Sequence, residues 1–217
     1  MNEQGCLGVG VWHFDESDGT VIRDDSQFAN DGVAHGTRIV TGRFGSARRF
    51  NGEGDYVTIP HHQNSPLDFG LNQSFTIEAW FLTEADGVQE IVRKGLAPVP
   101  GYALRVYNGH VQGIIGNRED GMPPDALVKI TSRQLYNDGV WHKAVLVRDR
   151  EKRKLFLYVD NVEATDPVED RFPFPLVSDS PLAIGAWDVY GGTEHFSGLI
   201  DEIRILRCAL TTRNFPR

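Results

Sequence analysis

The sequence predicts an all-β fold, a sandwich or barrel of short antiparallel strands. Three observations carry that expectation. Asp-Gly pairs stand at 18–19, 31–32, 86–87, 120–121 and 138–139, and Asn-Gly pairs at 51–52 and 108–109. Such pairs accept the positive φ angles of tight turns. The runs between them are short and alternate apolar with polar residues. No long stripe of helical period interrupts them, and strands at near-regular turn spacing belong to sandwiches and barrels.

The expected elements follow in order. Leu7 to Phe14 places Leu7, Val9 and Val11 on one face and Trp12 and Phe14 on the other. Ala47–Asn51 and Asp55–Ile59 are next. Ser74–Leu82 alternates cleanly, with Phe75, Ile77, Ala79 and Phe81 against Thr76, Glu78, Trp80 and Leu82. Val88–Arg93, Gly101–Tyr107, His110–Ile115 and Ala126–Ser132 follow. Trp141–Val147 and Lys154–Asp160 read as the arms of a hairpin, and Pro181–Gly185 precedes the closing strand, Phe196 to Leu210. In that last strand Leu199, Ile203 and Ile205 form the expected core face. Asp201 falls inside the same series, and a carboxylate aimed at a core requires a cation or several donors. Trp12, Trp80 and Trp141 are expected in the core.

A chain of 217 residues with 40% hydrophobic composition suits a single domain, residues 1–217, with a sizeable core. The formal charge is −8. The one dense basic run, Arg148 to Lys154, reads as a solvated hairpin turn, so no nucleic-acid partner is expected. No apolar stretch reaches the ~18 residues of a membrane span, and no membrane insertion is expected. The first residues lack the basic start and apolar run of a signal peptide. If the chain is a module of a longer protein, a signal would lie upstream. Cys6 and Cys208 stand at opposite ends with no metal-binding spacing. They are two buried thiols or one disulfide; the disulfide is reasonable if the terminal strands are antiparallel neighbours, and it implies an oxidising compartment.

Several stretches together resemble a known family. VWHFDE, then DDSQFANDG, then GRFGSARRFNGEGDYVTI resemble the N-terminal half of a laminin-G-like jelly roll. FTIEAWF is similar to its central strand. DGVWHKAVLVRD with KLFLYVDN is similar to its main hairpin, ending here in Asn161 instead of Gly. PLAIGA and FSGLIDEIRILRCAL resemble its last core strands. The resemblance covers about residues 7–211. It implies an antiparallel two-sheet β-sandwich (jelly roll) of the concanavalin A-like superfamily, with the first strand beside the last. It also implies an extracellular, cell-surface or periplasmic module of a larger secreted protein that binds carbohydrate or a glycoconjugate. A fold of this kind hosts many functions, so the site must decide.

The resemblance further implies a structural calcium ion (Ca2+). Asp24, Asn30, the Gly32 end of that loop and Asp201 are its expected ligands, since calcium takes about 6–8 oxygens, many from carbonyls. The alternative is that backbone N–H groups satisfy Asp201. The ligand-binding residues are expected in the segment GAWDVYGGTEHF: Trp187, Asp188, Tyr190 and His195, with Arg118 at a nearby turn. Aromatic rings stack on sugar C–H faces while acids and amides hold hydroxyls. Folding back of Trp187 and Tyr190 to cap the sandwich is the bland counterpart. An adhesion or spacer module without a glycan is the second functional reading.

Catalysis is the third. A retaining glycosidase sets two carboxylates about 5 Å apart, which strands supply at i, i+2 or i+4. No Glu-x-Asp-x-Glu occurs. Asp201 and Glu202 are adjacent, and neighbours on a regular strand face apart. No other hydrolase, zinc or nucleotide motif appears, and no catalytic residue is expected.

Overall fold

The computed structural model describes residues 6–96, 99–117, 126–187 and 194–212. Its strands are β1 (Gly8–Trp12), β2 (Val21–Ile22), β3 (Gly32–His35), β4 (Arg38–Thr41), β5 (Ser46–Asn51), β6 (Tyr56–Ile59), β7 (Phe75–Leu82), β8 (Val88–Lys94) and β9 (Gly101–Tyr107). They continue as β10 (His110–Gly116), β11 (Leu127–Leu135), β12 (His142–Asp149), β13 (Lys154–Val159), β14 (Val162–Glu163), β15 (Val168–Glu169), β16 (Leu182–Ile184) and β17 (Ser197–Leu206). One sheet runs β14-β13-β12-β7-β17-β5-β4, with β1 on β17 and β15 on β13. The other runs β11-β10-β9-β8-β16-β6-β3-β2. Among the described residues there is no α-helix. The result is the expected antiparallel two-sheet sandwich.

The core lies between the sheets. Phe75, Ile77, Ala79 and Phe81 of β7 meet Tyr102, Leu104 and Val106 of β9 in one buried cluster. Period-two alternation supplies both inner faces. The sheets approach closely at Gly113, where a Cβ would stand 2.4 Å from Leu146 Cδ1. Trp12 is fully buried and donates its indole N–H to the Asn30 carbonyl at 3.1 Å. Gly10 leaves room for that ring, since a Cβ there would come within 2.3 Å of it. The other two expected core tryptophans lie elsewhere. Trp80 is on the outer face of β7, partly exposed, and Trp141 is partly exposed just before β12.

The closing strand also departs from simple alternation. Its pairing with β7 shifts between Asp201 and Arg204, and Glu202 takes a φ of 51°. This is a β-bulge, one extra residue in β17. It brings Ile200, Ile203 and Ile205 to the core together, whereas strict alternation would place Leu199 there. Leu199 is instead partly exposed. Asp201 therefore lies on the outer face, and is fully buried by the β4–β5 turn that folds over it.

The basic run at 148–154 is not wholly solvated. Arg148 is fully buried and its Nε lies 2.7 Å from the Asp170 carboxylate, itself buried. β12 is covered along its whole length, so its last arginine requires this partner. β1 pairs antiparallel with β17, Trp12 opposite Ile203. Beside that pairing Cys6 and Cys208 form a disulfide with Cα atoms 5.6 Å apart.

Candidate functional site

A polar belt crosses the outer face of the second sheet. Register sets Glu90 of β8 beside Arg105 of β9, Arg105 beside Gln112 of β10, and Gln112 beside Thr131 of β11. Their side chains connect in that order. Arg105 donates to Glu90 Oε1 at 3.3 Å and to Gln112 Oε1 at 2.7 and 3.0 Å. Gln112 Nε2 donates to Thr131 Oγ1 at 2.8 Å. A second guanidinium, Arg93, donates to Glu90 Oε1 at 3.2 Å and to the Gly95 carbonyl at 3.1 Å. A bulge between Glu90 and Val92 puts Arg93 and Glu90 on the same outer side.

These groups are buried: Glu90 is 0% exposed, Arg93 3% and Arg105 7%. Burial raises the Glu90 carboxyl above its ordinary value, and Arg93 and Arg105 pull it back. Burial likewise lowers Arg93, with Glu90 opposing. Glu90 Oε2 is buried without a hydrogen-bond partner.

Trp187 closes this belt. Its ring lies 3.8 Å from the Arg93 guanidinium carbon, a cation–π stack. Its position is set by a short ladder: Trp187 N–H donates to the Glu194 carbonyl at 3.0 Å, Ala186 bridges His195, and Phe196 N–H donates to Gly185 at 2.8 Å. Between Trp187 and the sheet a cavity of about 20 Å³ remains, room for one water but no sugar ring. Leu96, Ala103 and Ile114 form a small apolar cluster beside it.

Of the expected ligand-binding residues, Trp187 and His195 thus stand at the two feet of one loop. His195 is partly exposed and its Nδ1 is buried without a partner. Asp188, Tyr190 and Arg118 lie outside the described residues. Glu90, Arg93, Gln112 and Thr131 escaped the sequence reading. Their signal is the pair Glu90 and Arg93, charges set inside a strand around Ile91 and Val92.

The expected calcium ligands have separate partners. The Asp24 carboxylate accepts from Val11 N–H, Ser26 N–H and Oγ, and Asn30 N–H and Nδ2, at 2.7–3.1 Å. Five donors use the lone pairs of one carboxylate, so Asp24 does not fit a cation ligand. Asn30 Nδ2 also donates to the Val9 carbonyl at 2.8 Å, and Gly32 opens β3. Asp201 Oδ2 accepts from Arg43 N–H at 2.8 Å and Phe44 N–H at 3.0 Å. Its Oδ1 is buried without a partner. Burial pushes its pKa up to about 6, Glu202's charge adds, and the two N–H groups oppose. Among the described residues, no three His, Cys, Asp or Glu side chains gather as a metal cage.

Comparison with known proteins supplies the relatives. No curated protein matches in sequence. Among solved structures, the binding domain of Paraclostridial Mosquitocidal Protein 1 superposes with a TM-score of 0.74 at 16% identity, over 95% of this chain and 50% of that one. Domain 4 of AbnA, a GH43 extracellular arabinanase from Geobacillus stearothermophilus, solved with arabinotriose, gives 0.70 at 20% identity over 96% of each. The ligand binding domain of botulinum neurotoxin serotype D, solved with N-acetylneuraminic acid, gives 0.69 at 11% identity over 95% and 48%. The chain thus spans about half the length of the toxin domains it matches. A laminin-G family model, described as the Concanavalin A-like lectin/glucanases superfamily, matches residues 51–214; with that match and the paired terminal strands, the chain belongs to the laminin-G-like jelly rolls of this superfamily.

Proposed function

We propose that this chain is a non-catalytic binding module whose ligand class is carbohydrate. The observation that carries the reading is the Arg93–Trp187 stack standing over the polar belt. An aromatic plane beside paired donors and acceptors suits a sugar's apolar face and its hydroxyls. Jelly rolls of similar shape, crystallised with arabinotriose and with N-acetylneuraminic acid, support it. The Cys6–Cys208 disulfide supports an oxidising, extracellular setting for the module.

A glycan array on the intact chain tests the reading. Binding to a defined glycan, weakened at least about tenfold in Trp187→Ala, supports it. The narrowness of the cavity beneath Trp187 favours the adhesion or spacer reading instead. Silence across plant, algal, animal and bacterial glycans decides for that alternative.

A further inference from the structure

The opposite sheet carries a larger cleft. It encloses about 320 Å³ on the outer face of β7, β12 and β17, with the β4–β5 turn as one wall. That is the lower end of the size range of small-ligand sites, about 300–1,000 Å³. Trp80 forms its floor. Lys143 and Asp201 flank Trp80 in register on either side. Phe44, 43% exposed, meets the Trp80 ring edge-on at 5.7 Å between centroids. The exposed Arg43 guanidinium lies 5.1 Å from the same ring, a looser contact than the 3.8 Å stack on Trp187.

The polar rim is built from opposite charges in pairs. Glu78 is ion-paired with Arg204. The Glu202 carboxylate grips His13 Nδ1 at 2.8 and 3.0 Å. Lys143 is 4% exposed, and burial lowers its ammonium while Glu78 pulls it back. Glu78 is 2% exposed and its Oε1 has no hydrogen-bond partner. A buried, unpaired carboxylate oxygen is costly unless a donor arrives. The carboxylates of Glu78 and Glu202 alternate with the cationic side chains of Arg204 and Lys143 around the rim. A rim that sets both signs side by side favours neither a bare anion nor a bare cation. It offers donors and acceptors side by side over an aromatic floor.

We infer that this cleft is a second ligand site, separate from the Trp187 belt, and that it takes one ring of a neutral saccharide. The ring lies on Trp80 against Phe44 in place of the Arg43 guanidinium. One hydroxyl donates to Glu78 Oε1, and Arg204 donates to another. The site stands on the side of the sandwich away from Trp187, so either site can fail without the other.

Isothermal titration of the intact chain with neutral arabino-, xylo-, cello- and chito-oligosaccharides tests it, with sialylated and sulfated glycans as charged comparators. The expected result is binding of a neutral oligosaccharide that falls at least tenfold in Trp80→Ala and in Phe44→Ala. The same binding persists in Trp187→Ala. Phe44 is exposed, so its variant keeps the fold and guards against simple unfolding of the Trp80 variant. Binding unchanged in the folded Phe44→Ala and Trp80→Ala proteins overturns the inference. So does binding lost only in Trp187→Ala, a preference for charged glycans, or no neutral oligosaccharide bound at all.

Discussion

Asp201 shows how a single residue resolves at close range. Its carboxyl is pushed up to about 6 by burial, against 3.8 in an unfolded chain. Between those values the folded protein holds a proton that the unfolded chain has released. This group's contribution to stability therefore falls as pH rises from about 4 to about 6, and is level above that. Asp201→Asn keeps an oxygen for the Arg43 and Phe44 N–H groups and removes the buried charge. We expect it to melt within about 1 kcal/mol of the parent, or above it, at pH 7, and to flatten the profile between pH 4 and 6. Thermal denaturation across pH, with and without chelator, checks this. A chelator-sensitive melt that Asp201→Asn abolishes while lowering the melting temperature places a cation on Oδ1 instead. Gly10 makes a second case. Gly10→Ala sets a methyl into the Trp12 ring, and a loss of about 1–3 kcal/mol in denaturant unfolding is expected.

At the scale of the element, the bulge in β17 governs the outcome. Glu202 is the extra residue that lets Ile200 share a face with Ile203 and Ile205. Deleting Glu202 removes the extra residue and leaves Ile200, Ile203 and Ile205 in strict alternation on the core face, in regular register with β7. We expect cooperative unfolding to persist in that deletion, read by calorimetry, as in Glu202→Gly, which keeps the bulge; a transition lost in the deletion alone would show that the bulge itself is required. The same element explains what was legible in the sequence. The alternation of β7 and β13 stood in plain view, because each buries one face without interruption. The face of Asp201 did not, since a bulge leaves no mark in composition. β2, β3 and β4 were too short and too plain to stand out. Glu90 and Arg93 were visible as charges in a strand, but their meeting with Arg105 depends on a sheet register that sequence spacing does not encode.

Across the whole molecule, two sheets share one buried cluster, and most partners are distant in sequence. The terminal strands lie side by side, and the Cys6–Cys208 bond spans 202 residues of separation. In the chain-entropy account a loop of that length contributes about 5 kcal/mol, and removing a native disulfide costs about 2–5 kcal/mol. Reduction, or Cys6→Ser with Cys208→Ser, should therefore lower the unfolding free energy by that amount and move the denaturant midpoint down accordingly. An unchanged midpoint in the reduced protein would show that the β1–β17 pairing alone carries the closure.

That covalent closure also sets how the molecule bears load. Tension that enters before Cys6 and leaves after Cys208 passes through one sulfur–sulfur bond. The sandwich between them is mechanically bypassed. In a pulled chain the oxidised protein behaves as a short inextensible link. After reduction the same pull reaches the β1–β17 ladder and can draw out the 202-residue separation, roughly 70 nm of chain at about 3.5 Å per residue. A module of this kind holds both sheets in shape under strain for as long as its surroundings stay oxidising.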